Sequence, residues 1–277
     1  MGCCVQQLTA YGTPFDLTVP NRGTWELVEP LLPPGTEPRS DSRDATSFVL
    51  NSSRYGMTLT IDGESYGEYL SPKVAVTVLD QQVRLHVAAH ADRWLFVHAG
   101  VVVVDDRALL LPGGAFSGKT TLVDALLKQR AAYYSDEYAV LDADGRVHPY
   151  RRPLSHREVD GFRVRYAPPP GSDDLPADAA IALVVFSRYI PGADWRPEAI
   201  SASRAVVQLM ANAVPARARA EQTLKACGRA MRSARALVGD RGEADATAAL
   251  LLSEMTDGNP AARRRCDQTG ARPGDGG

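Results

Sequence analysis

The chain has 277 residues, 44% of them hydrophobic and 23% charged, with a formal net charge of −2. That is an ordinary soluble composition, long enough for one large domain or two small ones. It has no basic excess to suggest nucleic acid, and no apolar run approaches the roughly eighteen residues that span a bilayer.

Met1–Leu8 has neither a basic start nor an apolar core, so no signal peptide is expected. The four cysteines, Cys3, Cys4, Cys227 and Cys266, form no C-x-x-C pair. Zinc binding and a disulfide framework are therefore not expected, and a reducing cytoplasm fits best. Met1-Gly-Cys-Cys invites a lipid anchor at Gly2, but the acylation pattern wants Ser or Thr where Gln6 stands. No membrane partner is expected.

Residues 1–92 read as a small β-rich domain. Phe48–Leu50, Met57–Ile61 and Val74–Val78 are short β-branched runs separated by turn residues such as Asp62-Gly63. Residues 31–42 are too polar and proline-rich to pack and read as a loop. Leu79–Arg93 fits a strand or a helix, with a helix that closes the small domain preferred. His86 and His90 stand four apart, yet no third ligand is evident, so two half-buried or surface histidines are expected.

The centre of the chain is residues 94–142. Val101–Val104, then Asp105-Asp106-Arg107, then Ala108–Leu111 read as two strands joined by a tight turn. Gly113, Gly114, Ala115, Phe116, Ser117, Gly118, Lys119 and Thr120 follow, and they satisfy G-x-x-x-x-G-K-[ST] at every fixed position. Glycines let the backbone curl so that N–H groups point inward at phosphate oxygens. Lys119 adds a cation for the β- and γ-phosphates, and the Thr120 hydroxyl can join a Mg²⁺ shell. Leu122, Ala125, Leu126 and Gln129 recur at helical spacing. The helix from Lys119 through Thr121 to about residue 130 thus aims its positive end at the same anion. Tyr133-Tyr-Ser-Asp-Glu137 comes next. A hairpin around Ala143-Asp-Gly145 follows it.

Beyond the centre, residues 151–158 read either as an active-site loop with Arg157 on phosphate and Glu158 near a metal, or as a solvated connector. Residues 167–178 form a proline-rich loop, and Ile181–Phe186 a central buried strand. Arg188 and Arg196 lie in the next loop as solvated arginines or, less simply, a phosphate clamp. From Ser201 onward the spacing predicts helices: one to Ala213, one over Ala218–Ala236 and one over Gly242–Met255. Residues 257–277 lack apolar periodicity and read as a disordered tail.

The order of His98, hairpin, phosphate loop, helix and acidic pair resembles the HPr kinase/phosphorylase-like family of bacterial kinases over roughly residues 94–158. The acidic pair departs from the family's Asp-Asp, being Asp136-Glu137. The resemblance implies an α/β fold. Residues 93–256 would form a P-loop kinase domain of the HPr kinase/PEP carboxykinase-like type, with a mixed sheet and C-terminal helices. It also implies ATP and Mg²⁺, and transfer of the γ-phosphate to a serine or other hydroxyl of a peptide, protein or small molecule. In that reading Asp136 is the general base with His98 beside it, and Thr120 and Glu137 hold the metal. Asp136 as a metal ligand and His98 as a core histidine are the plainer alternatives. The family's hexamers leave homo-oligomerisation open. A nucleotide-binding switch or a plain ATPase remains the competing function.

Overall fold

The structure is a computed structural model that describes residues 2–41, 44–114, 117–129, 131–157, 164–167 and 175–257. Strands β1 (Cys4–Ala10) and β2 (Thr13–Val19) form a hairpin over Tyr11-Gly12, both in the left-handed region. Helix α1 (Arg22–Val28) follows, with the Asn21 side chain accepting the Thr24 N–H as its cap. Strands β3 (Glu37–Pro38), β4 (Thr46–Ser53), β5 (Gly56–Ile61) and β6 (Glu64–Leu70) complete a six-stranded sheet ordered β3-β1-β2-β4-β5-β6. The expected loop over 31–42 thus carries one two-residue edge strand.

Helix α2 runs from Pro72 to His90 and absorbs Val74–Val78, which sequence alone reads as a strand. Two causes outweigh β-branched propensity there. Pro72 at the first helical position presets its φ. Ala75, Val76, Leu79, Val83 and Val87 then fall on one buried stripe at helical spacing. The core of the first sheet extends beyond this helix into residues further along the chain: Phe96, Tyr138, Val140 and Tyr150 belong to it. Phe96 meets Tyr11, Tyr138 and Tyr150 edge-on, with centroids 5.1, 5.5 and 5.9 Å away. Such geometry suits the quadrupoles of aromatic rings.

The second sheet begins with β7 (Leu95–Val104) and β8 (Arg107–Pro112), an antiparallel hairpin turned through Asp105 and Asp106, both with positive φ. After α3 (Lys119–Lys128) come β9 (Ala132–Ser135), β10 (Tyr138–Leu141), β11 (Val147–His148), and a separate two-stranded pair of β12 (Leu154–Arg157) and β13 (Val164–Ala167). The remaining elements are β14 (Ala180–Tyr189), β15 (Glu198–Ala199), α4 (Ala202–Ala211), α5 (Ala220–Ala230), β16 (Arg235–Arg241) and α6 (Ala244–Asp257). The order is β11-β10-β7-β8-β14-β16-β15, with β9 also paired to β7. Strands β8, β14 and β16 are mutually parallel, so the fold is α/β with mixed sheets.

Strand β16 corrects the expected continuous helix over 218–236. That segment stops at Ala230, and Ala236-Leu-Val238 enter the sheet beside Val184-Val-Phe186. Alternation along the strands buries both faces. Val97, Ala99, Val101 and Val103 pack toward α4 and α5, whereas Val102, Leu109 and Leu111 pack toward α3 and α6. Among the described residues, no helix is long and apolar enough to cross a membrane.

Gly100 sets how closely α3 lies on β7, because a Cβ there would stand 2.7 Å from Cγ2 of the fully buried Val123. Gly100→Ala is expected to overpack this contact and lower stability by about 1–3 kcal/mol. Adding Val123→Ala is expected to cost less than the two single losses summed, measured by urea denaturation. Strict additivity would refute the contact.

Candidate functional site

The parallel strands β8, β14 and β16 run toward the same end of the sheet, where open α/β sheets bind their ligands; β8 stops at Pro112, and β14 and β16 run on to Tyr189 and Arg241. The glycine-rich loop of residues 113–120 leaves β8 at this end. Gly113 N–H donates to the His98 carbonyl at 3.1 Å, and the Ser117 hydroxyl donates to the Gly114 carbonyl at 3.0 Å. Gly118 caps α3 in the left-handed conformation, φ 76°. Lys119 Nζ turns back on the loop and donates to the carbonyls of Gly113 and Gly114, each at 2.7 Å. Burial lowers its pKa, against the pull of Glu137 and Asp136. Thr121 is exposed on the first turn of α3, and Ala115 and Phe116 lie outside the described residues.

Residues 136 and 137 owe their position to β7. Strand β9 pairs with Val101–Val103 and β10 with Leu95–His98, so the acidic pair forms the jog between two strands that share one partner. The Ser135 hydroxyl holds the jog by accepting the N–H groups of Glu137 and Tyr138 at 3.1 and 3.0 Å. The two carboxylates then point to different partners. Asp136 is 5% exposed, and it accepts from the Thr120 hydroxyl at 3.1 Å and the Tyr133 hydroxyl at 2.9 Å. Glu137 Oε1 lies 2.7 Å from Arg84 Nη1 and 3.9 Å from His98 Nδ1.

Arg84 arrives from α2. Asp80, one turn earlier, pairs with it at 3.1 Å and with Arg152 at 2.5 Å, and Arg152 also donates to the Leu31 carbonyl. A largely buried chain of alternating charge therefore runs from the first sheet to the site. Burial would lower Arg84, but Asp80 and Glu137 hold its pKa well above the ordinary value. Burial would raise Glu137, yet Arg84 and then His98 outweigh it and keep the carboxyl below its ordinary value. His98, with 39% of its side chain exposed, is lowered by burial; Glu137 opposes this, and Lys119 and Arg84 reinforce it.

The structure thus brings His98, Lys119, Thr120, Asp136 and Glu137 to one end of the sheet. Arg188 and Arg196 are turned to exposed partners, Asp240 at 2.9 Å and Asp194 at 3.0 Å. The Arg157 side chain and Glu158 lie outside the described residues. His86 and His90 stack at 4.5 Å, and among the described residues no three His, Cys, Asp or Glu side chains gather as a metal site. Sequence reasoning missed Arg84, Arg152, Tyr133 and Arg241. Arg241 is 2% exposed at the end of β16, and its Nη2 donates to the Gly118 carbonyl at 3.0 Å. Its only local signal was the short apolar run Ala236-Leu-Val238.

Compared with models of known protein families the chain matches none, and a search of curated proteins finds no match.

Because Glu137 has a depressed pKa in the folded protein, its contribution to stability is present above the ordinary value of 4.5 and is lost as pH falls through the folded value. Glu137→Gln is therefore expected to be less stable than the wild type at pH 7. The gap should close on acidification below pH 4.5, followed by denaturant unfolding at each pH. A gap independent of pH would show that Glu137 is not held by charge.

Proposed function

We propose that the protein is a Mg·ATP-dependent kinase that transfers the γ-phosphoryl group to a hydroxyl of a peptide, protein or small molecule. One observation carries the reading: Thr120, next to the phosphate-loop lysine, is hydrogen-bonded to Asp136, while His98 and Glu137 stand beside the same loop. A switch needs the cradle alone, whereas this arrangement also supplies groups for chemistry. The hairpin that feeds the loop and the mixed sheet support a P-loop domain of the HPr kinase/PEP carboxykinase-like type.

The geometry favours exchanging the roles that the acidic pair has in the family resemblance. Asp136 is buried and already shared with Thr120, so it suits a metal. The donor set, a hydroxyl and a carboxylate, matches Mg²⁺, which takes one or two protein oxygens and leaves the remainder to phosphate and water. When bound, Mg²⁺ offsets the charge on the β- and γ-phosphate oxygens. Lys119, held by the Gly113 and Gly114 carbonyls and the Ser117 hydroxyl, can exchange these loop contacts for phosphate. His98 is the accessible base. With Nδ1 facing Glu137, Nε2 takes the acceptor proton as the acceptor oxygen bonds to the γ-phosphorus and ADP leaves. Glu137, ionised by Arg84, orients the ring and stabilises the imidazolium.

The test is γ-labelled Mg·ATP offered with serine-bearing peptides and small alcohols. Label on an acceptor is the expected result. Tight binding without transfer or phosphate release would mean a switch, and phosphate release without an acceptor an ATPase. Lys119→Ala should weaken ATP binding and nearly abolish turnover. His98→Gln is expected to cut transfer by roughly 10²–10⁴-fold with Mg·ATP affinity within a fewfold. Asp136→Asn should raise the Mg²⁺ concentration required. If instead His98→Gln keeps full rate while Asp136→Asn loses it at saturating Mg²⁺, Asp136 is the base.

A further inference from the structure

Arg241 has an environment that its packing does not explain. It is 2% exposed, and among the described residues no carboxylate lies at ion-pair distance; Glu243, bonded to the Tyr189 hydroxyl, acts on it only through space. Among the described residues, its Nε is buried without a hydrogen-bond partner. Nη1 donates to the Gly242 carbonyl at 3.1 Å, and Nη2 to the carbonyls of Gly118 at 3.0 Å and Ser117 at 3.5 Å. The Tyr189 ring lies 5.2 Å from its Cζ. A buried, unpaired guanidinium destabilises a fold unless a counter-charge arrives. Its Nη2 contacts both go to the 113–120 loop.

The direction of those contacts matters. The Gly118 carbonyl accepts from Arg241 and also from the Leu122 N–H at 3.1 Å, so it points along α3. A trans peptide puts C=O and N–H on opposite sides. The N–H of Lys119 therefore points out of the helix N-terminus, and the N–H of Gly118 points away from the Ser117 carbonyl. A cation on the carbonyl side also polarises both peptide units, and this strengthens their N–H groups toward an anion. Gly118 is shaped by the same contact: besides its positive φ, a Cβ there would lie within 2.4 Å of Arg241 Nη2.

We propose that Arg241 is a positioning residue for the phosphate site: it fixes and polarises the Ser117–Gly118 and Gly118–Lys119 peptides so that their N–H groups receive the terminal phosphates of a nucleoside triphosphate. The inference rests on residues 113–120 being a phosphate site. A bound anion adds, at contact distance, to the counter-charge of the more remote Glu243, so the side chain is tuned to the occupied state.

The test compares full-length wild type with Arg241→Met, Arg241→Lys and Lys119→Ala. Calorimetric titration uses Mg·ATP and, separately, Mg·tripolyphosphate, and thermal unfolding is followed without ligand. Arg241→Met is expected to unfold at or above the wild-type temperature when unliganded, since it removes a buried charge with no carboxylate at contact distance. It should bind both ligands more weakly by the same factor, about ten- to a hundredfold, the range for hydrogen bonds to a charged group. Arg241→Lys should fall between. Wild-type affinity in Arg241→Met overturns the proposal. So does weaker binding accompanied by a lower unliganded melting temperature that Arg241→Lys does not restore, which is the mark of a merely structural residue. If Arg241→Met does not fold, Arg241→Lys decides alone, and wild-type affinity for both ligands overturns the proposal. If wild type binds neither ligand, the phosphate-site reading fails and takes the proposal with it. Binding by wild type but not by Lys119→Ala keeps that reading intact whatever Arg241 does.

Discussion

Everything at the site depends on the pairing of one ten-residue strand. Along β7, one edge is taken by β8 and the other is divided between β10 and β9. Two strands cannot share one edge without a break, and the break is where Asp136 and Glu137 stand. The same strand holds His98 and accepts the first N–H of the phosphate loop at that residue. The distances between His98, loop and carboxylates are thus set by a backbone ladder, which is stiffer than any side-chain contact. Gly100, two residues on, lets α3 settle against the ladder and fixes the loop's other end.

The second constraint is electrostatic. Asp80, Arg84, Arg152 and Glu137 bury both signs of charge between the first sheet and the site. Breaking one member leaves a buried charge uncompensated, and that is far more costly than the pair is favourable. Its consequence is positional: the N-terminal sheet, which carries no chemical motif, holds the orientation of Glu137 through α2. The aromatic cluster of Tyr11, Phe96, Tyr138 and Tyr150 does the same by packing. The functional site therefore reads as a product of both sheets.

Within the second sheet, cations approach the glycine-rich loop from two sides. Lys119 lies on the carbonyls of Gly113 and Gly114, whereas Arg241 lies on those of Ser117 and Gly118. One belongs to the loop and one to the last parallel strand, so the loop is gripped at its entry and at its exit. Arg188 and Arg196, read from the sequence as solvated arginines in preference to a phosphate clamp, pair with exposed carboxylates, an arrangement of little energetic weight.

The sequence by itself determined what short-range spacing encodes. The hairpin ending in Leu111, the glycine-lysine-threonine loop and the helix from Lys119 to Lys128 are each legible within a dozen residues, because backbone curl, turn residues and helical stripes are local properties. Only the tertiary structure decided the rest. Val74–Val78 became helix because Pro72 and the buried stripe of α2 outweigh β-branched propensity. Ala236–Val238 became strand because β14 offers a parallel edge about fifty residues upstream, which no window on the sequence includes. Arg84 and Arg241 escaped notice for the same reason. Their partners, Glu137 and the carbonyl of Gly118, lie far away in the chain, and an arginine on a helix or at a strand end looks solvated until folding closes those distances.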